Sequence, residues 1–430
     1  MYPDCLLIEK NLRQIVSKGE LRAAATRALD ALDRFSSLFD SNRSRQVFLF
    51  SSPERTELSG NHTDHNHGLV LAAPIDLDIL AVVSPRDDRG IRLYSEGMGM
   101  IEAEASQTDP DPSLFGTSVS LIKGICSLFL DAGVSISGFD AYMTSLVAPG
   151  SGLSSSAAFE LMIATVLNTL YANESFSPVA LAKMGKKAEN LFFGKPCGLL
   201  DQLACAYGGA VFMDFRHPED PQIVPLTLDL EKEGYALCIT HTGGTHANLT
   251  GAYASIPQEM KAVAAALGKE HLGEVDPAAF EEALPLLYGK LSHRAILRAF
   301  HFFSENERVL RQKDALLRGD FKSFLKDVRL SGESSFCYLQ NVFNVSDPSE
   351  QPLSVGLALS KHLLEKAGEP AAWRVHGGGF AGTIQAFVPL SYLDEYRFGM
   401  ERVFGQGSCK KLTIRPFGSI CLSGPEEKQT

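Results

Sequence analysis

Apolar residues near the N-terminus recur at helical spacing. Leu21, Ala24, Ala25, Leu29, Leu32 and Phe35 share one stripe and predict an amphipathic helix ending near Leu38. Shorter apolar runs predict strands over 46–50, 77–83, 91–94 and 100–105, with Pro85-Arg86-Asp87-Asp88-Arg89-Gly90 turning like a hairpin between two of them. A strand over 139–147 leads into a segment of glycine and serine. Helices over 155–171 and 178–193 follow, then a strand over 209–215. The polar, proline-bearing break at 216–221 predicts a boundary between an N-terminal domain, 1–216, and a C-terminal domain, 217–430. Beyond it the pattern predicts a strand over 235–240, several helices between 256 and 327, and a helix over 353–367. A strand, glycine turn and strand over 373–389, a helix over 391–404 and a last strand over 411–416 complete the chain. Strands and helices do not alternate strictly, so the fold class is α+β.

Length supports the two-domain reading, since 430 residues exceed what one core usually holds. Hydrophobic residues make up 45% and charged residues 21%, enough for full cores in a globular protein. The net charge of −11 excludes a general nucleic-acid surface, so any anionic ligand must be met by a local positive site. The eight cysteines, Cys5, Cys126, Cys197, Cys205, Cys238, Cys337, Cys409 and Cys421, form no Cys-x-x-Cys pair and read as small apolar residues, most of them buried. No signal peptide is visible in Met1-Tyr2-Pro3-Asp4-Cys5, and no apolar run is long enough for a bilayer, which together point to the cytoplasm.

Four segments carry candidate chemistry. In Pro149-Gly150-Ser151-Gly152-Leu153-Ser154-Ser155-Ser156-Ala157-Ala158, two glycines and four serines lead into a helix. The free N–H groups and positive dipole end of that helix suit phosphate, and a hydroxyl there could ligate magnesium. A capped helix after a loop is the plain alternative. The second segment, 53–68, concentrates Arg55, Asn61, His62, Asp64, His65 and His67 between apolar strands. Mixed donors and acceptors suit a polyhydroxylated ligand. A surface loop and a metal site on His62, His65 and His67 are the alternatives, although that spacing matches no helical two-histidine metal motif. In the third segment, Glu189 to Gln202, Asp201 sits among Leu199, Leu200, Leu203 and Ala204. It is either a helix-capping residue or a base paired with a distant cation, for which Arg55 is the candidate. The fourth, His376 to Thr383, places four glycines in six positions, which suits close backbone approach to a ligand or a tight bulged turn.

In this order the four segments resemble the GHMP small-molecule kinase superfamily, and its galactokinase branch most, over roughly 45–424. The resemblance implies a two-domain GHMP kinase fold, with a ribosomal protein S5 domain 2-like N-terminal domain, a ferredoxin-like C-terminal domain and the site between them. It implies ATP-dependent phosphorylation of the anomeric hydroxyl of galactose or a close relative. By position Asp201 is the catalytic base and Arg55 its partner facing the moving phosphoryl group. Asn61, His62, Asp64, Tyr253 and the backbone of Gly198 meet the sugar. Gly150, Ser151, Gly152, Leu153, Ser154, Ser155, Ser156 and Ala157 hold ATP. Glu189, twelve positions before Asp201, joins Ser155 or Ser156 on Mg2+. The implied partners are a sugar and ATP, with neither nucleic acid nor membrane, and a monomer is the expectation. The segment 116–124 falls near the adenine in this family.

The family pattern around the sugar loop is Gly-Arg-Val-Asn-Leu-Ile-Gly-Glu-His-Thr-Asp-Tyr-Asn. This chain differs at Glu54, Thr56, Glu57, Ser59, Asn61 and His65, and has Ala254-Ser255-Ile256-Pro257 where arginines follow the family tyrosine. Asn61 replaces the glutamate that contacts the sugar's terminal hydroxyl. An uncharged amide there is expected to tolerate an acceptor or a carboxylate, which opens the choice to N-acetylgalactosamine, arabinose or a uronic acid. Three other readings remain: a non-catalytic protein sensing sugar and ATP, a GHMP kinase for another small alcohol, and a hydrolase using a histidine-bound metal.

Overall fold

The computed structural model describes residues 2–3, 5–17, 19–146, 155–243, 249–380 and 382–423. Two helices, α1 (Cys5–Leu12) and α2 (Leu21–Phe39), precede five strands: β1 (Phe48–Ser59), β2 (Leu69–Pro85), β3 (Gly90–Ser95), β4 (Gly99–Glu104) and β5 (Phe139–Ser145). Helix α3 (Ser118–Asp131) lies between β4 and β5. Helices α4 (Ser155–Tyr171), α5 (Pro178–Leu191) and α6 (Leu200–Ala206) follow, then the hairpin β6 (Ala210–Asp214) and β7 (Gln222–Leu226). After β8 (Tyr235–His241) come α7 (Thr250–Ala266), α8 (Pro277–Lys290), α9 (His293–Leu317), α10 (Phe321–Ser334) and α11 (Pro352–Leu364). Strands β9 (Ala372–Val375) and β10 (Thr383–Pro389), helix α12 (Leu393–Phe404), and strands β11 (Cys409–Leu412) and β12 (Ile420–Ser423) end the fold.

The first sheet has eight strands in the order β12-β1-β2-β5-β3-β4, with β6 continuing from β2 to β7. Its pairs are antiparallel except β3 with β5. Both faces are covered, and the alternation of side chains along each strand sorts them. Leu49, Leu80 and Val82 meet α1 and α2, whereas Phe50, Ala81, Val83 and Met143 meet α3 to α6. The second sheet, β11-β8-β10-β9, packs Leu237 and Phe387 against α9, α10 and the far ends of β1 and β2. Val375, Ile384 and Val388 face α11 and α12 instead.

Two features differ from the sequence reading. The break at 216–221 joins β6 to β7 within one sheet, and β12 returns to pair with β1, so the chain crosses between sheets beyond residue 216. Backbone pairing overrides the local turn composition there. The polar stretch 53–59 is the second half of β1, not a loop. Its polar side chains are buried because the second sheet supplies their partners. Gln385 Nε2 donates to Thr56 Oγ1 at 2.7 Å and to the Glu57 carbonyl at 3.2 Å, while His376 Nε2 lies 3.2 Å from Thr56 Oγ1. Among the described residues no helix is long and apolar enough to cross a membrane.

Candidate active site

A cavity of about 290 Å³ opens beside the second half of β1 and the loop that follows it. Its walls include Arg55, Glu57, Asn61, His62, Asp64, Gly198, Asp201 and Tyr253. Larger clefts lie against α2 and beside β7 and carry none of these groups.

Residues 55 and 201, far apart in the chain, form an ion pair. Arg55 Nε donates to Asp201 Oδ1 at 2.7 Å, with Arg55 buried and the Asp201 side chain 35% exposed. Asp201 sits in the first turn of α6, where the helix dipole favours a carboxylate. Burial opposes the charge on Arg55, but Asp201 overrides it and holds the guanidinium above its ordinary value.

Asp64 and Gly198 also meet. A Cβ on Gly198 would collide with Asp64 Oδ2, so only glycine lets this backbone come so close to the 61–65 loop. His62, at φ 59°, turns its Nε2 to the Gly378 carbonyl at 2.9 Å. That carbonyl only accepts, so Nε2 carries the proton. Burial lowers His62 to about 3 and keeps it neutral. Tyr253, in the first turn of α7, donates to the Gly379 carbonyl at 2.7 Å, with its hydroxyl pushed up to about 12 by burial. Its ring lies where a Cβ on Gly378 would be, which accounts for a glycine at that place in the late loop.

Asn61 lines the cavity, but its carboxamide is used within the protein. Nδ2 donates to Glu57 Oε1 at 3.0 Å and to the Gly377 carbonyl at 2.7 Å. Oδ1 accepts from Asn341 at 2.8 Å and Ser335 at 3.3 Å. Two donors and two lone pairs are filled, which corrects the expectation that this amide is open to a sugar hydroxyl. The three histidines of the loop do not converge. His62 faces Gly378, His65 lies 6.4 Å from it by ring centroids, and His67 stacks on His271 at 3.7 Å and 21°. Glu274 completes a possible metal-ligand group with His67 and His271, but in-plane lone pairs of stacked rings do not meet on one ion. This removes the support for a hydrolase built on His62, His65 and His67.

At the start of α4, Ser156 Oγ donates to Glu189 Oε1 at 3.0 Å, whereas Ser155 is exposed. Ala157 is buried in the first core. Gly150, Ser151, Gly152, Leu153 and Ser154 lie outside the described residues. Lys195 Nζ is 2.8 Å from Glu189 Oε1, and Gln202 Nε2 bridges Glu189 Oε2 and Glu160 Oε2, each at 3.0 Å. Burial, then Glu189, pushes the Glu160 carboxyl well up. Gln202 follows Asp201 directly, so the first turn of α6 ties the Arg55–Asp201 pair to the Glu189–Ser156 pair. The segment 116–124 is the entry and first half of α3, where Gly124 abuts Phe192.

Comparison with known proteins gives the chain a family. The profile of the GHMP kinases N terminal domain matches residues 120–209, and the galactokinase galactose-binding signature matches residues 33–85. A galactokinase of Streptomyces coelicolor is 32% identical, over 84% of this chain and 90% of its own length. One from Lactobacillus helveticus is 31% identical, over 83% and 89%. The chain belongs to the galactokinase family of GHMP kinases. In structure it is similar to Lactococcus lactis galactokinase complexed with galactose, with a TM-score of 0.75, 26% identity and coverage of 91% of this chain and 99% of that one. The mevalonate kinase of Methanococcus jannaschii, at 13% identity, 87% and 99% coverage and a TM-score of 0.60, shares the fold. This family member is therefore a kinase with the α+β GHMP fold, as its sequence implied.

Several residues behind the cavity escaped the sequence reading. Glu305, on α9, accepts from Gly60 N at 3.0 Å, Ser59 Oγ at 3.0 Å and Arg308 Nε at 2.7 Å. His301 Nε2 reaches the Asn61 carbonyl at 2.9 Å, and Arg374 Nη2 reaches Glu57 Oε1 at 2.7 Å. These polar groups lie on helical or strand faces that read as buried. A buried charge at such a position is the available signal, but it does not name its partner.

Proposed function

We propose that the chain transfers the γ-phosphoryl group of ATP to the anomeric hydroxyl of galactose or a closely related sugar, giving the sugar 1-phosphate and ADP. The observation that carries this reading is the Arg55–Asp201 pair on the wall of a cavity lined by the 61–64 loop. Asp201 takes the proton from the C1 hydroxyl. The new bond forms between that oxygen and the γ-phosphorus, and the bond to the bridging oxygen of ADP breaks. Arg55 keeps Asp201 ionised and faces charge on the transferring group. Asp64, whose Oδ1 lies 3.8 Å from His65 Nε2 on the cavity wall, receives sugar hydroxyls together with His62 and the Gly198 backbone.

The hard oxygen donors of Ser156 and Glu189 suit Mg2+, and Lys195, now on Glu189 Oε1, marks that position as one that draws a cation. Bound there, the ion neutralises polyphosphate charge. Ser156 fits this role better than Ser155 because it alone of the two touches Glu189. The segment 150–157 is assigned to the phosphates, with the N-terminus of α4 supplying unpaired N–H groups. Eight free thiols fit a reducing compartment, the cytoplasm.

The test is ADP release in a coupled assay with galactose. Asp201→Asn is expected to fold normally and lose about 10² to 10⁴ in kcat, the usual worth of a positioned base. Full turnover in that variant refutes the assignment.

A further inference from the structure

The family pattern around the sugar loop has an asparagine where this chain has Glu57 and a glutamate where it has Asn61. The two departures are one reciprocal exchange, and the structure joins the two residues directly: Asn61 Nδ2 donates to Glu57 Oε1 at 3.0 Å. One carboxylate and one amide are thus retained, with their places traded. The trade has an electrostatic reason on the C-terminal side. Arg374, fully buried on β9, places Nη2 2.7 Å from Glu57 Oε1. A buried guanidinium keeps its charge and needs a carboxylate close by.

The two side chains are left unequal towards the cavity. The Asn61 amide has no hydrogen-bonding capacity to spare. Glu57 lines the same cavity, its Oε1 is shared by Arg374 and Asn61, and its Oε2 accepts no hydrogen bond among the described residues. Burial pushes the Glu57 carboxyl up and Asp64 adds to this, whereas the Arg374 ion pair at 2.7 Å, and Arg55, hold it down; the cavity's lysine, Lys195, is on Glu189.

We propose that Glu57, held by Arg374, is the specificity-determining residue for the substituent on the sugar's terminal carbon, the role that the resemblance gives to position 61. This rests on the sugar-kinase reading above. A substituent that donates a hydrogen bond, a hydroxyl or an amine, fits Glu57 Oε2. One that only accepts, above all a carboxylate, meets like charge at Glu57. The exchange therefore preserves selection for a terminal hydroxyl and excludes uronic acids, the opposite of what an open amide at Asn61 implied.

The experiment is calorimetric binding of D-galactose, its 6-deoxy analogue, its 6-amino-6-deoxy analogue and D-galacturonate, with ADP release measured in parallel. Wild type is expected to bind galactose and the amine, and to bind galacturonate and the deoxy sugar at least about tenfold more weakly. Glu57→Gln should shrink the galacturonate penalty by at least about fivefold. Asn61→Ala should weaken galactose and galacturonate alike and leave their ratio within about threefold. Glu57→Asp keeps the pairing with Arg374 and withdraws Oε2. It serves if the amide variant fails to fold, and should lose galactose affinity out of proportion to galacturonate. Galacturonate binding as tightly as galactose in wild type would overturn the assignment, as would a ratio that moves with Asn61 and not with Glu57. The expected binding order without ADP release refutes the kinase reading and supports Glu57; no binding of any of the four sugars overturns both.

Discussion

Glu54 stands beside Arg55 on β1, where the family pattern has glycine, and offers a quantitative test of how this site is built. It is fully buried, and neither carboxylate oxygen has a hydrogen-bond partner among the described residues. Burial raises its pKa from 4.5 to about 8, with Arg55 and Lys410 pulling it down and Asp78 pushing it up. Between these values the folded protein holds a proton that the unfolded chain has released, so stability falls as pH rises. Each pH unit in that window costs about 1.4 kcal/mol. From pH 5.5 to 7.5 the loss attributable to Glu54 is about 2.5 kcal/mol, and it is complete above pH 8. Glu54→Gln is neutral in both states, so its unfolding free energy lacks this slope. Any cost of burying the amide is the same at both pH values and cancels. Urea unfolding of both proteins at about pH 5.5 and 7.5 gives the comparison, and the variant should gain about 2.5 kcal/mol on wild type over that interval. A difference between the two proteins that stays constant within about 0.5 kcal/mol would show that Glu54 is ionised in the fold, and the burial argument fails.

Further outcomes follow from close contacts in the site. Gly198→Ala should raise KM for sugar by at least about tenfold, because the new Cβ displaces Asp64, and an ångström of misplacement is costly at a reacting centre. Initial rates against galactose concentration check it, and an unchanged KM would separate Gly198 from the sugar. Chelation of divalent cations should abolish ADP release. Ser156→Ala should raise the Mg2+ needed for half-maximal rate by about tenfold, and Ser155→Ala by less than about threefold. Equal effects of the two serines would remove the distinction drawn from the Ser156–Glu189 contact.

The sequence made the local elements legible wherever one face met one core. Helices α2, α4 and α5 and strands β3, β5 and β8 follow their periodicity closely. Arg55, Asp64, Gly198, Asp201 and Tyr253 do line one cavity. Legibility failed where a segment serves two cores at once. The polar half of β1 reads as a loop because its partners, Arg374, His376 and Gln385, lie more than three hundred residues away. Asn61 illustrates the same limit. The substitution was visible, but its meaning depends on Glu57, Ser335, Asn341 and the Gly377 carbonyl filling the amide. The break at 216–221 carries the composition of a linker and acts as a hairpin turn, since composition reports a bend and not which sheet the next strand joins.

Strand β12 pairs Ser423, Cys421 and Ile420 with Leu49, Phe50 and Ser51. The outer edge of β1 is therefore bare until β12 arrives. During synthesis the first sheet waits for β12, with β1 presenting unpaired N–H and C=O groups to any passing strand. A fragment cut at the apparent boundary near 216 keeps Asp201 and Arg55 but lacks the strand that seals the sheet. The segments before and after residue 216 are thus joined in one sheet, whose closure depends on β12.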